Sequence, residues 1–343
     1  MKVRLAVVGS GFGLYGLLPA FQQIPACSVV GLSGQPTERV LAYCRQTSVP
    51  HFPHWREMLE QTQPDAIAVA VVPRHQYEVV KSALQQGIAV FAEKPLAHDL
   101  GAARELLDLA QAGQHAHMID FLYPEIPAWR RTRELLAQDA IGRVQQVTVN
   151  WNFLSHDLRL RINSWKTDAA AGGGALAFYF SHAFYNLEFL VGRIETLYCQ
   201  LNQSPASLGG GETVVNLLAG LANGGTANIA LNCGAFSGNR QRWEFHGTRG
   251  ALVLENSTST WARGFELARF DDAGNQLSEP IPELLVDPVL DERVGLVKSV
   301  GERFVNWCAN GTPARPDFTD GVRVQELIAS AKESFHHGKV VKI

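Results

Sequence analysis

Short apolar runs alternate with amphipathic segments over the first 120 residues of the chain. Residues 3–8, 28–32, 66–72, 89–92 and 115–119 are β-rich and of strand length. The intervening segments have helical periodicity. Asp99 is an N-cap candidate, Ala103, Leu106 and Ala110 then recur on one face, and Gly113 ends the pattern. Strand–helix alternation of this kind predicts a parallel sheet with helices on both faces.

The pattern changes after Gly142, where strand-like runs cluster. They cover residues 144–153, 197–201, 213–221, 226–232, 242–246 and 251–255. The Asn223-Gly224-Gly225 segment is typical of a hairpin turn between two of them. Helical patterns cover residues 175–190 and 321–337, and the latter is a candidate to pack back on the first half. A mostly antiparallel sheet with a few helices is therefore predicted for this half.

Composition and charge exclude several classes of protein. The net charge is −3, from 30 basic and 33 acidic residues, without a polybasic block, so neither nucleic acid nor an anionic membrane is an expected partner. No apolar run reaches the ~18 residues of a membrane span. The five cysteines are scattered and form no Cys-x-x-Cys pair, which predicts a reducing, cytoplasmic location. The histidine pairs lack a converging third ligand, so no metal site is expected.

A glycine-rich turn follows the first apolar run. In Gly9-Ser10-Gly11-Phe12-Gly13 the backbone can turn tightly and approach a pyrophosphate at a helix N-terminus. Leu14 occupies the position of the usual third glycine, and an ordinary strand–helix turn remains the alternative. With the alternation above, this turn predicts an α/β fold with a Rossmann dinucleotide-binding domain over residues 1–120. The clustered strands predict a second domain over residues 121–343 with a mostly antiparallel sheet.

The end of the second strand bears on the choice of cofactor. An acidic residue there would hold the ribose 2′-hydroxyl of NAD, but this chain has Ser33-Gly34-Gln35. Without a carboxylate to repel a 2′-phosphate, and with Arg39 nearby, NADP is expected to be preferred over NAD. NAD binding with relaxed ribose contacts, or no nucleotide at all, are the alternatives.

Glu93-Lys94-Pro95 directly follows the apolar run 89–92. Ligands of open parallel sheets bind at the carboxyl ends of the strands, so Lys94 lies where it can reach a substrate. Pro95 restricts the backbone of Lys94. An ammonium group held there can polarise a reacting carbonyl oxygen or lower the pKa of a hydroxyl.

These motifs together resemble the Gfo/Idh/MocA oxidoreductase family over essentially the whole chain. Matching segments also occur at 127–130, 164–166, 172–176, 181–182, 246–250 and 317–321. The resemblance implies an NAD(P)-binding Rossmann domain joined to an α/β domain with a large, mostly antiparallel open sheet. It implies NAD(P)-dependent hydride transfer to or from a sugar, cyclitol or polyol-like substrate. It also implies a homodimer or homotetramer. A non-catalytic, nucleotide-sensing regulatory protein on the same fold is the alternative.

The resemblance assigns roles to particular residues. Lys94, His182 and Tyr179 are the expected catalytic residues, with His182 as proton carrier. Expected substrate-binding residues are Lys94, Trp165, Lys166, Tyr179 and His182. Expected cofactor-binding residues are Gly9, Ser10, Gly11, Phe12, Gly13, Leu14, Ser33, Gly34, Gln35, Arg39, Val72, Pro73, His75, Glu93 and Lys94.

The chain departs from the family pattern at three positions. Phe178 stands where the family has an aspartate four residues before the histidine. The Pro-x-x-x-His motif ends in Tyr77, and Asp120 replaces the asparagine of the family's Asn-x-Arg-Phe. The first departure keeps the regulatory alternative open.

Overall fold

The computed structural model describes residues 2–343, which divide into two compact units. The first unit extends to Leu122 and also includes Val286–Arg323. The second comprises Tyr123–Leu285 and Val324–Ile343.

The first unit contains a six-stranded, all-parallel sheet. Its strands are β1 Val3–Val8, β2 Cys27–Ser33, β3 His51–Phe52, β4 Ala66–Val69, β5 Ala89–Ala92 and β6 His117–Ile119. The order is β3-β2-β1-β4-β5-β6, so the strand order reverses between β1 and β4. Strands β4 and β5 are buried at every residue, as expected for a sheet covered on both faces.

Helices connect these strands. They are α1 Leu18–Gln22, α2 Glu38–Thr47, α3 Trp55–Thr62, α4 Pro73–Gln85 and α5 Leu100–Ala112. The Asp99 side chain accepts a hydrogen bond from the Ala102 N–H at 2.8 Å, which confirms the N-cap inferred from the sequence. The predicted Rossmann architecture is therefore confirmed.

The second unit contains a nine-stranded sheet that is mostly antiparallel, as predicted. Its strands are β7 Val144–Asn152, β8 Ile194–Asn202, β9 Val214–Leu221, β10 Thr226–Asn232, β11 Arg240–Gly247, β12 Ala251–Asn256, β13 Glu266–Phe270, β14 Gln276–Leu277 and β15 Val341–Lys342. The order is β14-β13-β12-β11-β7-β10-β9-β8-β15, and only β7 and β10 pair in parallel within the described residues.

The helices of this unit are α6 Pro127–Ala137, α7 His156–Arg159, α8 Ala175–Phe178 and α9 Phe180–Val191. Helix α6 contacts β12 and β13, α8 contacts β9, and α9 packs against α6 and α8. The helical pattern over 175–190 is interrupted at Tyr179, whose carbonyl accepts the N–H of His182 at 3.1 Å. An i→i+3 bond of this kind tightens the backbone between the two helices.

Two helices close the chain, α10 Val294–Asn310 and α11 Phe318–His337. The sequence-based division placed residues 121–343 in the second domain, with the last helix as a candidate to pack back on the first. In the structure the segment that groups with the first unit is Val286–Arg323, which contains α10 and only the start of α11. The reason is apolar packing of α10. The ring of Phe304 lies 6.3 Å from that of Phe21 and 5.7 Å from that of Phe91 on β5. Residues from Val324 onwards in α11 belong to the second unit.

Candidate active site

The glycine-rich turn leaves β1 beside the point where the strand order reverses, which is where doubly wound sheets bind nucleotides. Gly9 has a φ of +131° and donates its N–H to the Ser33 carbonyl at 2.8 Å. A Cβ at Gly9 would lie 2.2 Å from the Ala70 carbonyl oxygen, whereas a Cβ at Gly11 would meet no described atom within 4 Å. Gly9 therefore allows the close approach to Ala70, and Gly11 borders open space.

The absence of the third glycine is explained by the start of the following helix. Gly13–Leu17 forms a π-helical turn before α1. Leu14 is buried, and its N–H already donates to the Gly11 carbonyl at 2.9 Å. Leu14, expected to bind cofactor, thus packs in the core and stabilises the turn instead of offering a free N–H. Close packing in this helical segment instead involves Gly16, because a Cβ at Gly16 would lie 2.2 Å from the Phe12 ring.

The end of β2 is close to this turn. A Cβ at Gly34 would lie 2.8 Å from the Cβ of Ser10, so the two backbones pack together. Ser33 is buried, while Gln35 and Arg39 are exposed. The Arg39 guanidinium lies 5.8 Å from the centre of the Tyr15 ring, which places a cation beside the helix that follows the glycine turn.

Lys94 lies in the turn after β5, next to β4 in the sheet, and its peptide bond to Pro95 is cis. Its N–H donates to the Glu93 carboxylate at 3.0 Å, and the Glu93 N–H donates to the Val69 carbonyl at 2.9 Å. The buried Gln76 amide of α4 donates to carbonyls of the same turn. The backbone that carries Lys94 is held from several sides.

The α4 residues expected to bind cofactor occupy the start of this helix. Val72 is the N-cap residue and Pro73 the first helical residue, where proline's fixed φ suits a helix. His75 is partly exposed, and its Nδ1 lies 3.4 Å from the Glu78 carboxylate. Gln76, the residue after His75, was not predicted from the sequence as a site residue.

A second carboxyl group lies beside Glu93. Asp120 follows β6 and is 2% exposed, and its N–H donates to the Ala92 carbonyl at 2.9 Å. Burial raises the pKa of Asp120 well above its usual value, and both the charge of Glu93 and a hydrogen bond to it act in the same direction. Arg293 and Lys94 oppose the rise. This direction favours the protonated form of Asp120, which can donate a hydrogen bond to the Glu93 carboxylate.

In the second unit, His182 lies on α9 among aromatic side chains. It is 8% exposed, and its ring lies 5.3 Å from that of Tyr123 and 6.2 Å from that of Trp261. The Tyr123 hydroxyl donates to the Gln241 side chain at 3.2 Å. Aromatic rings on two sides restrict the orientation of the imidazole.

Of the other expected substrate-binding residues, Trp165 and Lys166 lie in a short 3₁₀ helix, Trp165–Thr167, and Tyr179 lies between α8 and α9. The Lys166 ammonium lies 4.9 Å from the centre of the Phe178 ring and 3.8 Å from the Asp157 carboxylate. The rings of Trp165 and Tyr179 lie 5.4 Å and 4.6 Å from that of Phe178. The phenyl ring that replaces the family aspartate is thus in contact with three residues expected to bind substrate.

Tyr179 borders a small cavity of about 10 Å³, enough for about one water molecule. Burial raises the pKa of its hydroxyl further above neutrality. The hydroxyl therefore keeps its proton and acts as a hydrogen-bond donor near pH 7.

The structure thus groups Glu93 and Lys94 with Gln76 and Asp120 in the first unit. Within residues 2–343, no cluster of three or more His, Cys, Asp or Glu side chains has the arrangement of a metal site. A search of the same residues for helices long and apolar enough to cross a bilayer finds none.

Comparison with known proteins gives two family matches. Residues 3–121 match the model of the oxidoreductase family with an NAD-binding Rossmann fold. Residues 129–253 match the GFO/IDH/MocA C-terminal domain.

Individual relatives cover most of the chain. An uncharacterized oxidoreductase of Synechocystis sp. is 25% identical over 353 residues, covering 97% of this chain and 94% of its own. Levoglucosan dehydrogenase of Pseudarthrobacter phenanthrenivorans is 24% identical over 321 residues, covering 82% and 80%.

Solved structures share the whole fold. Levoglucosan dehydrogenase in complex with NADH superposes with a TM-score of 0.85 at 18% identity, over 100% of this chain and 99% of the other. A putative NADPH-dependent oxidoreductase of Desulfitobacterium hafniense superposes with a TM-score of 0.88 at 16% identity, over 99% and 98%.

Proposed function

We propose that this chain, which belongs to the Gfo/Idh/MocA oxidoreductase family, transfers hydride between a nicotinamide dinucleotide and a sugar, cyclitol or polyol. The observation that carries the proposal is the position of Lys94. It lies in a rigid turn at the carboxyl edge of a sheet whose neighbouring strands flank the nucleotide crevice. The similarity to levoglucosan dehydrogenase supports a sugar-like substrate.

The first unit fits a dinucleotide. Gly9 allows the backbone of the turn to pass close to Ala70, and the open space beside Gly11 admits a pyrophosphate. When bound, the nicotinamide supplies or accepts the hydride. The chain's own residues must then fix the substrate, stabilise charge on its oxygen and carry the proton.

Lys94 has the electrostatic role. Reduction of a carbonyl leaves negative charge on oxygen, and a preorganised ammonium stabilises that charge more strongly than water does. The bond from the Lys94 N–H to Glu93 and the packing of Pro95 in the core fix the backbone that bears the ammonium group. Asp120, when protonated, adds no second negative charge beside it.

His182 has the role of proton carrier, because an imidazole accepts and returns protons near neutrality. The rings of Tyr123 and Trp261 hold it in place. Tyr179, which keeps its proton, serves as a donor to the substrate, and Trp165 and Lys166 complete the binding residues. Phe178 stands where the family has an aspartate four residues before this histidine.

We further propose that NADP is preferred over NAD, although the family description names NAD. Ser33, Gly34 and Gln35 present no carboxylate to the ribose, and the guanidinium of Arg39 lies beside Tyr15. A cytoplasmic location remains a prediction from the cysteine pattern.

The test is turnover of NADH and NADPH with a panel of sugars, cyclitols and polyols, in both directions. We expect Lys94→Ala and His182→Ala to lower kcat by about 10²-fold each, the usual cost of losing an electrostatic partner or a general acid–base. Circular dichroism and reduced-nucleotide fluorescence should show that both variants fold and bind cofactor. Lys298→Ala on α10 and His246→Ala on the exposed face of β11 are matched controls.

Two results would count against the enzyme proposal. One is wild-type protein that binds nucleotide but turns over no substrate of the panel, in which case the nucleotide-sensing role takes its place. The other is full activity in Lys94→Ala, which would remove Lys94 from the chemistry.

A further inference from the structure

One buried glutamine holds the turn that carries Lys94. Gln76 lies in the first turn of α4 and is 1% exposed. Its Nε2 lies within hydrogen-bond distance of the carbonyl oxygens of Glu93 at 2.5 Å, Pro95 at 3.0 Å and Leu96 at 3.2 Å, so its two N–H hydrogens are shared among three acceptors. A single amide group therefore binds the backbone immediately before Lys94 and the two residues after it.

These bonds satisfy groups that would otherwise be buried without a donor. Pro95 and Leu96 are both buried, and a buried carbonyl without a hydrogen bond is costly. On the other side of the turn, the N–H of Lys94 is bound by the Glu93 carboxylate and the N–H of Glu93 by Val69. Val69 of β4 and the Glu93 carboxylate thus hold two N–H groups of the turn, and Gln76 holds the carbonyls of Glu93, Pro95 and Leu96.

Packing alone does not explain an amide at this position. Burying a primary amide costs free energy, and the Gln76 Oε1 has no hydrogen-bond partner among the described residues. An apolar side chain of similar volume would fill the space without that cost. The amide differs from such an apolar side chain in that it can donate hydrogen bonds to the carbonyls of the turn.

We propose that Gln76 is a positioning residue for Lys94, fixing the direction in which the ammonium group leaves the sheet edge. This inference rests on the proposed function of Lys94. Gln76 binds only backbone in the contacts above, so its effect on the reaction passes through the turn.

Loss of these bonds should lower kcat more than it raises KM. A displacement on the order of 1 Å at a reacting group can cost about 10²-fold in rate. We expect Gln76→Met, which keeps the unbranched shape but has no donor, to lower kcat by about 10- to 10²-fold. Reduced-nucleotide binding should stay within about threefold, on the order of 0.7 kcal/mol.

Gln76→Glu adds a readout that a purely structural role would not give. A carboxylic acid can donate one hydrogen bond to the turn, whereas a carboxylate can donate none. Burial raises the pKa of such a group. The kcat of this variant, relative to wild type, should therefore fall as the pH rises, while the folded fraction seen by circular dichroism stays constant.

The experiment compares wild type, Gln76→Met, Gln76→Glu and the control Gln86→Met. Gln86 is an exposed glutamine just after α4 whose amide donates to Ser82. Measurements are kcat, KM, nucleotide affinity and hydrogen exchange of the amides of Lys94, Leu96 and Ala97. We expect faster exchange in Gln76→Met at these amides and no change in Gln86→Met.

The outcomes separate the two proposals. Unchanged exchange and kcat in Gln76→Met, or a raised KM with normal kcat, would overturn the positioning role. If wild type has no turnover, the proposed function fails, and hydrogen exchange alone then decides whether Gln76 holds the turn. If Gln76→Met does not fold, the pH dependence of Gln76→Glu decides, and a kcat that follows wild type at every pH overturns the proposal.

Discussion

At the scale of single residues, the polar groups around Lys94 form a chain of interactions that ends in a buried acid. Lys94 donates its N–H to the Glu93 carboxylate, and the side chain of Asp120, whose pKa is raised by burial, is hydrogen-bonded to Glu93. A buried carboxyl group that keeps its proton avoids most of the cost of burying a charge. An asparagine, as in the family motif, would supply the same donor without titrating.

The stability of the protein should therefore depend on pH through Asp120. Its pKa is raised in the folded state, so its favourable contribution is complete below the unfolded-state pKa of about 3.9 and falls as the pH rises towards the folded-state pKa. Asp120→Asn has no proton to lose. Above pH ~4 wild type loses stability as Asp120 ionises. The free energy of unfolding of Asp120→Asn should therefore rise relative to that of wild type by up to about 1.4 kcal/mol per pH unit.

Urea unfolding of both proteins at pH 5, 6 and 7 measures this difference. Asp108→Asn, at an exposed position of α5, controls for the removal of one carboxyl group. Parallel stability curves for wild type and Asp120→Asn would show that Asp120 ionises equally in the folded and unfolded protein.

A second residue-scale prediction concerns the cofactor. If Arg39 contacts a 2′-phosphate, Arg39→Ala should lower the affinity for NADPH by about tenfold or more, which is the scale of a charge-assisted hydrogen bond. The affinity for NADH should stay nearly unchanged. Calorimetric titration of both nucleotides gives the comparison, and Arg45→Ala on the same helix is the control. Equal affinity of wild type for NADH and NADPH would refute the preference.

At the scale of elements, strands whose apolar pattern was long enough were predictable. The ranges 89–92 and 226–232 coincide with β5 and β10. β3, β14 and β15 have two residues each, too few to show a period. The interruption at Tyr179 was also missed, because α8 and α9 continue one apolar pattern across it.

The turn after β1 offers a prediction at this scale, because its two glycines have different surroundings. Gly9→Ala should lower both stability and nucleotide affinity, since its Cβ would lie 2.2 Å from the Ala70 oxygen at a φ of +131°. Strain of this kind costs on the order of 1–3 kcal/mol. The Cβ added in Gly11→Ala would extend into open space, so this variant should keep the wild-type melting temperature. It should lose only affinity for NADH or NADPH.

Thermal unfolding and nucleotide titration of the two variants provide the check. An unchanged affinity in Gly11→Ala would mean that the space beside Gly11 is not where the pyrophosphate binds.

At the scale of the whole molecule, the order of motifs along the chain predicted the fold but not which distant segments share a unit. The return of Val286–Arg323 depends on Phe304 packing on Phe21 and Phe91, and a helical pattern does not indicate its partner. Gln76 and Asp120 were missed as site residues for a similar reason. Their meaning lies in bonds to Glu93 and its neighbours, which only the folded chain shows.

The outer face of the nine-stranded sheet bears on the expected homodimer or homotetramer. Along β9, Val215, Leu217 and Ala219 are buried and alternate with outward residues. Leu218 is one of the outward residues and is 55% exposed. Directly opposite it in the neighbouring strands are Tyr198 and Asn228, so its surroundings are uncharged.

If this face joins two copies of the chain, light scattering after gel filtration should give a dimer or tetramer for wild type. Leu218→Lys should shift the population towards monomer at micromolar concentration, because a lysine cannot leave water at the centre of a tight contact without a partner. Leu208→Lys is the matched control, since Leu208 is equally exposed, at 58%, but lies in a loop. A monomeric wild type, or equal behaviour of the two variants, would place any association elsewhere than on this face.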